Sequence, residues 1–145
     1  MEKIKIPIIS LHQPWAGFVA LEAKEIETRI HDRFKCLNQR WVAIHSTKQY
    51  DKSIITSITD PIIKLQGSII CICFVKDVSW LNREHSERAM IDCFPIPFKR
   101  FGLFLTKVQL LKEPIKINGA QGIWYYKFTK EQLEGINITK PNQLL

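Results

Sequence analysis

Lys24, Glu27 and Arg29 stand three and two positions apart at the end of an apolar-rich run, SLHQPWAGFVALEAKEIETR, from Ser10 to Arg29. A cation, an anion and a second cation delivered by a buried element need partners, because a charge leaving water must be paired or meet a polar ligand. Arg29 suits bidentate contact with a phosphate or a base edge. Glu27 is able to accept from a nucleobase amino group or to act as a general base on water. Lys24 would neutralise a phosphate or, once desolvated, carry a proton. The same spacing fits an internal ion cluster that only fixes a helix to a sheet.

His12, Gln13 and Trp15 flank this triplet. An amide reads a base edge and an indole stacks on a base ring, as single-stranded nucleic acids are commonly held; an aromatic on an apolar helix also serves as core. His45, Ser46 and Lys48 follow at a strand end. A His beside a Ser supports nucleophilic chemistry only if a third group orients the imidazole. Adjacent strand residues point to opposite faces, so His45 and Ser46 are expected as separate cleft contacts, with Ser46 or Thr47 also placed to cap a helix. Asp77 is a further acid that could face the cleft. His31 and His85 lie in polar surroundings and read as surface, whereas Trp41, Trp80 and Trp124 read as core.

The elements that must position these residues follow from periodicity. Lys3 to Ser10 alternates, with Ile4, Ile6 and Ile8 on one face, and reads as a first strand. Pro14 opens a helix to Leu21 that is apolar nearly all round, with Trp15, Phe18 and Val19 as its strongest face, and so is buried on most sides. Arg40 to His45 is a strand. Tyr50, Ile54 and Ile58 recur at helical spacing until Asp60-Pro61. Gly67 to Trp80 and Arg100 to Leu111 are long strands, with a short surface helix or loop at Asn82–Met90 and an extended Phe94-Pro-Ile-Pro between them. Asn118-Gly119 is a turn, Gly122 to Phe128 a closing strand, and Thr129 to Glu134 a last helical turn. Five or six strands with helices inserted early predict an α+β protein on a small β-barrel, with one or two peripheral helices. Alternating βαβ order is missing, against a doubly wound sheet.

Composition sets the frame. The 145 residues are about one domain's length, and 46% hydrophobic with 24% charged residues describes a folded chain. No signal peptide and no apolar run of membrane-spanning length is visible, which predicts a cytoplasmic protein, a monomer by default, with no membrane partner. Cys36, Cys71, Cys73 and Cys93 are then expected as reduced thiols; Cys71 and Cys73 share a strand face, but no second Cys/His pair of zinc-site spacing accompanies them, so neither metal nor cofactor is expected. The net charge of +7 is uneven: residues 1–98 carry +2 and residues 99–145 carry +5. Such an excess favours a nucleic-acid or nucleotide partner, and Lys99, Arg100, Lys107, Lys112 and Lys116 could track an RNA backbone or form a solvated face.

Taken in order, several stretches resemble the ASCH family, whose fold is similar to PUA RNA-binding domains. SLHQPWAGFV resembles its strand–Gln-Pro-aromatic–helix opening, and AKEIETR its GxKxxExR signature, with Lys24, Glu27 and Arg29 at the charged positions. WVAIHSTKQYD resembles the strand ending in His-Ala-Ser-Lys, GSIICICFVKDV the central strand, and FGLFLTKVQLLKEPIKINGAQGIW the last strand pair. The resemblance spans nearly the whole chain and implies a single PUA-like domain over residues 1–145 that binds RNA or a nucleotide-like small molecule. Two positions depart from the pattern. Glu22 stands where the signature has Gly, a residue that serves turns with a positive backbone angle. Glu27 stands where small bacterial members that deacetylate N4-acetylcytidine carry a Thr nucleophile, which speaks against that mechanism. A hydrolase of modified nucleosides or RNA, with Glu27 activating water and Lys24 stabilising negative charge, is the alternative; a protein-binding adaptor is a third reading.

Overall fold

The computed structural model describes residues 2–91, 93 and 100–138. Six strands, β1 (Lys3–Gln13), β2 (Ile26–Arg29), β3 (Trp41–Tyr50), β4 (Ser68–Trp80), β5 (Phe101–Lys116) and β6 (Trp124–Thr129), form one sheet in the order β2-β5-β4-β3-β1-β6. The sheet curls into a half-barrel, an α+β arrangement with two short helices among the described residues, α1 (Trp15–Ala20) and α2 (Ser86–Ala89). β1 runs parallel to β3, and every other neighbouring pair is antiparallel.

Strand alternation divides the core between the two faces of the sheet. Ile9 and Leu11 of β1, with Val42 and Ile44 of β3, pack on one side beneath Ala16, Val19 and Ala20 of α1. Ile6 and Ile8, with Trp41 and Ala43, pack on the other with Phe128 and Leu133. Such two-faced burial suits a strand paired in parallel. Cys71 and Cys73 belong to the α1 side, where burial raises both thiols, Cys73 to about 12.

Several expectations give way here. The helix read from Tyr50, Ile54 and Ile58 does not form: β3 continues to Tyr50, which pairs with Gln13, and residues 51–60 are irregular. Local side-chain bonds compete with helix there, since Asp51 accepts from both Ser53 N and Ser53 Oγ, and Thr56 accepts from Ile58 N. Ser46 consequently caps no helix and lies inside β3. Trp80 is 52% exposed, its ring edge-on to Phe101, and Trp124 is half-buried. The Phe94-Pro-Ile-Pro connection and Lys99 lie outside the described residues. No helix among the described residues is long and apolar enough to cross a membrane.

Candidate functional site

The face of β1 that carries Ile6 and Ile8 continues through Ser10 and His12, and the matching face of β3 runs from Trp41 and Ala43 to His45 and Thr47. Apolar at one end, these two rows turn polar at the other. Because the strands are parallel and in register, Ser10 lies opposite His45. The next step along the same face joins His12 Nδ1 to Thr47 Oγ1 at 2.7 Å.

Ser10 Oγ and His45 Nδ1 are 3.0 Å apart, His45 Nε2 is 2.8 Å from Ile117 O, and Trp124 Nε1 is 3.1 Å from Ser10 Oγ. The partners fix the protons. A carbonyl only accepts, so His45 Nε2 carries a hydrogen; an indole N–H only donates, so it takes a lone pair of Ser10 Oγ. The Ser10 hydroxyl hydrogen is therefore directed at an unprotonated His45 Nδ1. Burial lowers the His45 pKa, with the Ile117 bond opposing, which favours the neutral ring. Gly119 closes over the pair: a Cβ there would lie 2.6 Å from His45 Cε1 and 2.9 Å from Ser10 Oγ.

The charged triplet stands beside this network. Lys24 and Glu27 are both buried, Glu27 standing 3.9 Å from Lys24 Nζ and 3.2 Å from Arg29 Nη1. Lys24 Nζ also donates to Ala89 O of α2 and sits 5.0 Å from the centre of the Trp15 ring. Burial lowers the Lys24 pKa, and the Glu27 carboxylate pulls it back up. Arg29 reaches toward Ser10 O at 3.5 Å and packs on Phe34, yet its Nε is buried without a hydrogen-bond partner.

Two cavities meet along this surface and share Ser10, His12 and Arg29. The wider, about 1070 Å³, is lined by the cations Arg29, Arg33 and Lys48, by His31, and by the loop from Ile117 to Ile123; no carboxylate is among its described lining residues. The narrower, about 310 Å³, holds Trp15, Lys24, Glu27 and Asp51. The result is a groove with a cationic basin at one end and an aromatic, ion-paired recess at the other.

Trp15, Lys24, Glu27, Arg29, His45 and Lys48, all expected at the site, line this groove. Gln13 and Ser46 line neither cavity. The Gln13 amide is spent on the main chain, donating to Ile62 O and Leu65 O and accepting from Gly17 N. Ser46 Oγ exchanges hydrogen bonds with the main chain of Ser68 and so belongs to the β3–β4 ladder. Asp77 is exposed and turns back on Val78 N. Glu22 is exposed and stands at φ +62, in the left-handed region that favours glycine. Ser10, His31 and Trp124 were not singled out for the site from sequence, whereas His12 was, beside Gln13 and Trp15. Extending the Ile4-Ile6-Ile8 alternation one step reaches Ser10, and a second step reaches His12. Among the described residues, no group of three or more His, Cys, Asp or Glu is placed to hold a metal ion.

No protein-family model matches the chain, and no curated protein matches it. Solved structures do. The crystal structure of ASCH from Zymomonas mobilis superposes with a TM-score of 0.57 at 15% identity, covering 88% of this chain and 90% of that one. A serine-to-alanine variant of the Zymomonas mobilis protein gives a TM-score of 0.48 at 15% identity, covering 92% and 95% of the two chains. At these identities the likeness is one of fold, and the fold is that of an ASCH-like domain.

Proposed function

We propose that this ASCH-like domain takes RNA, or a nucleotide-like small molecule, into the groove that runs from the Ile117–Ile123 loop to Trp15 of α1. The observation that carries this reading is the cationic basin: three cations and no carboxylate among the described lining, opening directly into a recess walled by an indole. Arg29, Arg33 and Lys48 would meet phosphate oxygens, and the unpartnered Arg29 Nε would gain an acceptor. Trp15 would offer its ring to a base, while Glu27 would accept from an exocyclic amino group. The Lys24–Glu27–Arg29 cluster is then both scaffold and contact surface: internal pairing holds the three side chains in place, and a ligand meets them already oriented.

A thermal-shift titration with nucleotides and short single-stranded RNAs tests the reading. A ligand that binds only the native state raises its melting temperature with concentration, and phosphate recognition makes the effect weaken with salt. The Arg33→Ala/Lys48→Ala double variant, which removes two exposed cations of the basin and leaves the Lys24–Glu27–Arg29 cluster intact, should remain folded and lose the shift. Unchanged affinity in that variant would end the groove reading.

A further inference from the structure

We propose that Ser10 is a nucleophile, activated by His45, and that the groove hydrolyses carboxylic esters bearing an anionic group. It rests on the groove proposed above but needs no particular nucleotide. Three observations support it. Ser10 Oγ lies 3.0 Å from His45 Nδ1, an acceptor for its hydrogen, while Trp124 Nε1 donates to the same oxygen and holds it in place. The imidazole is itself oriented by a third group, the Ile117 carbonyl, on its far nitrogen. Ser10 also stands where the two cavities join, so it is reachable from both sides, with the Arg29 guanidinium beside it. A nucleophile, a base within hydrogen-bond reach and an orienting acceptor on the base are the parts covalent acyl transfer needs.

The chemistry balances without a further reagent. Ser10 Oγ attacks the ester carbonyl carbon while its proton passes to His45 Nδ1, and the resulting imidazolium strengthens its Nε2–H bond to Ile117 O. The carbonyl oxygen gains negative charge beside Arg29. As the carbonyl re-forms, the alcohol leaves with the proton from Nδ1, and an acyl group remains on Ser10. Water then adds to that acyl group, giving its proton to Nδ1, and Ser10 departs by taking it back. Ester and water become acid and alcohol. The anionic part of the substrate would lie in the basin of Arg29, Arg33 and Lys48.

A network that served only to pin the Ile117–Trp124 segment to β1 would show no covalent reactivity, which separates the two roles. The full chain is treated with an alkyl fluorophosphonate and followed by intact mass and peptide mapping, with melting temperature checked before and after. A single adduct on Ser10, slowed by inorganic phosphate and missing in Ser10→Ala, is expected. So is hydrolysis of a carboxylate-bearing p-nitrophenyl ester, at least about 100-fold slower in His45→Gln, as loss of a general base predicts. No adduct on the folded wild-type chain, or an adduct elsewhere, overturns the proposal. The nucleotide thermal shift is measured on the same samples. A shift without labelling removes the serine chemistry and leaves ligand binding standing; labelling without a shift does the reverse.

Discussion

Ser10 and His45 face each other across the sheet's parallel strand pair, and their hydrogen bond is the point at which the apolar core rows of β1 and β3 give way to polar side chains. Burial holds the imidazole neutral, so its folded pKa lies below the ordinary 6.5. Between those two values the unfolded chain binds a proton that the folded chain refuses. Stability should therefore be fully present above about pH 6.5 and fall as the pH drops toward the folded value, levelling off below it. His31, also lowered by burial and by Arg33 and Arg29, adds in the same direction. Urea midpoints from pH 7.5 to 4.5 should fall less steeply in His45→Gln than in the wild type; parallel curves would count against a neutral, buried His45.

Glu27 separates two cations, and its removal should be felt first as lost stability. In Glu27→Gln, Lys24 stays buried with Ala89 O and the Trp15 ring but without its anion. Stranding one member of a buried pair costs several kcal/mol, and Arg29, at 25% side-chain exposure, recovers part of that from water. The expected loss is about 2–3 kcal/mol, read from urea unfolding. A change below about 0.5 kcal/mol would show that the cluster is not mutually supporting.

Glu22 holds a left-handed backbone without a side-chain hydrogen bond or ion pair among the described residues. A residue with a Cβ loses roughly 1–2 kcal/mol in that region, and glycine's greater entropy loss on folding offsets part of the relief. Glu22→Gly should stabilise the fold by about 0.5–1 kcal/mol, a rise of about 2 °C in melting temperature. Because Glu22 lines neither cavity, ligand affinity should not change.

Gly119 has the opposite sensitivity. A methyl group there meets His45 Cε1 at 2.6 Å, with the Ser10 hydroxyl just behind. Either the loop lifts or the imidazole turns, and overpacking of this kind costs about 1–3 kcal/mol. Gly119→Ala should weaken both stability and ligand binding. An imidazole proton shift identical to wild type by NMR would show that the loop absorbs the clash by itself.

How far the sequence carried the argument varies by element. The alternation in Lys3–Ser10, the long β-branched stretch from Ser68 and the apolar character of α1 are local patterns, and all three elements formed at those places. Lys24, Glu27 and Arg29 met because turn and strand lie within six residues of one another. Residues 51–60 misled because helical spacing of Tyr50, Ile54 and Ile58 says nothing of Asp51 and Thr56 binding the backbone two positions ahead. Gln13 differs for another reason: its type suits a ligand, but its amide donates to Ile62 O and Leu65 O, 49 and 52 positions on, a pairing that local spacing does not reveal. His45 and Ser46 do point apart, as alternation requires. The serine that does reach His45 comes from another strand, and pairing between strands 35 residues apart leaves no trace in local spacing.

That separation has a kinetic consequence. The bonds that define the network close loops of 35, 72 and 114 residues. Loop-closure entropy must be met before contacts of such range return anything, so they are expected to follow the shorter-range pairing of the sheet. A nascent or partly folded chain holds Ser10 and His45 without Ile117 or Trp124, and so has neither a fixed tautomer nor a directed hydroxyl. Reactivity and recognition would thus switch on together as β6 docks, making the groove a reporter of completed folding.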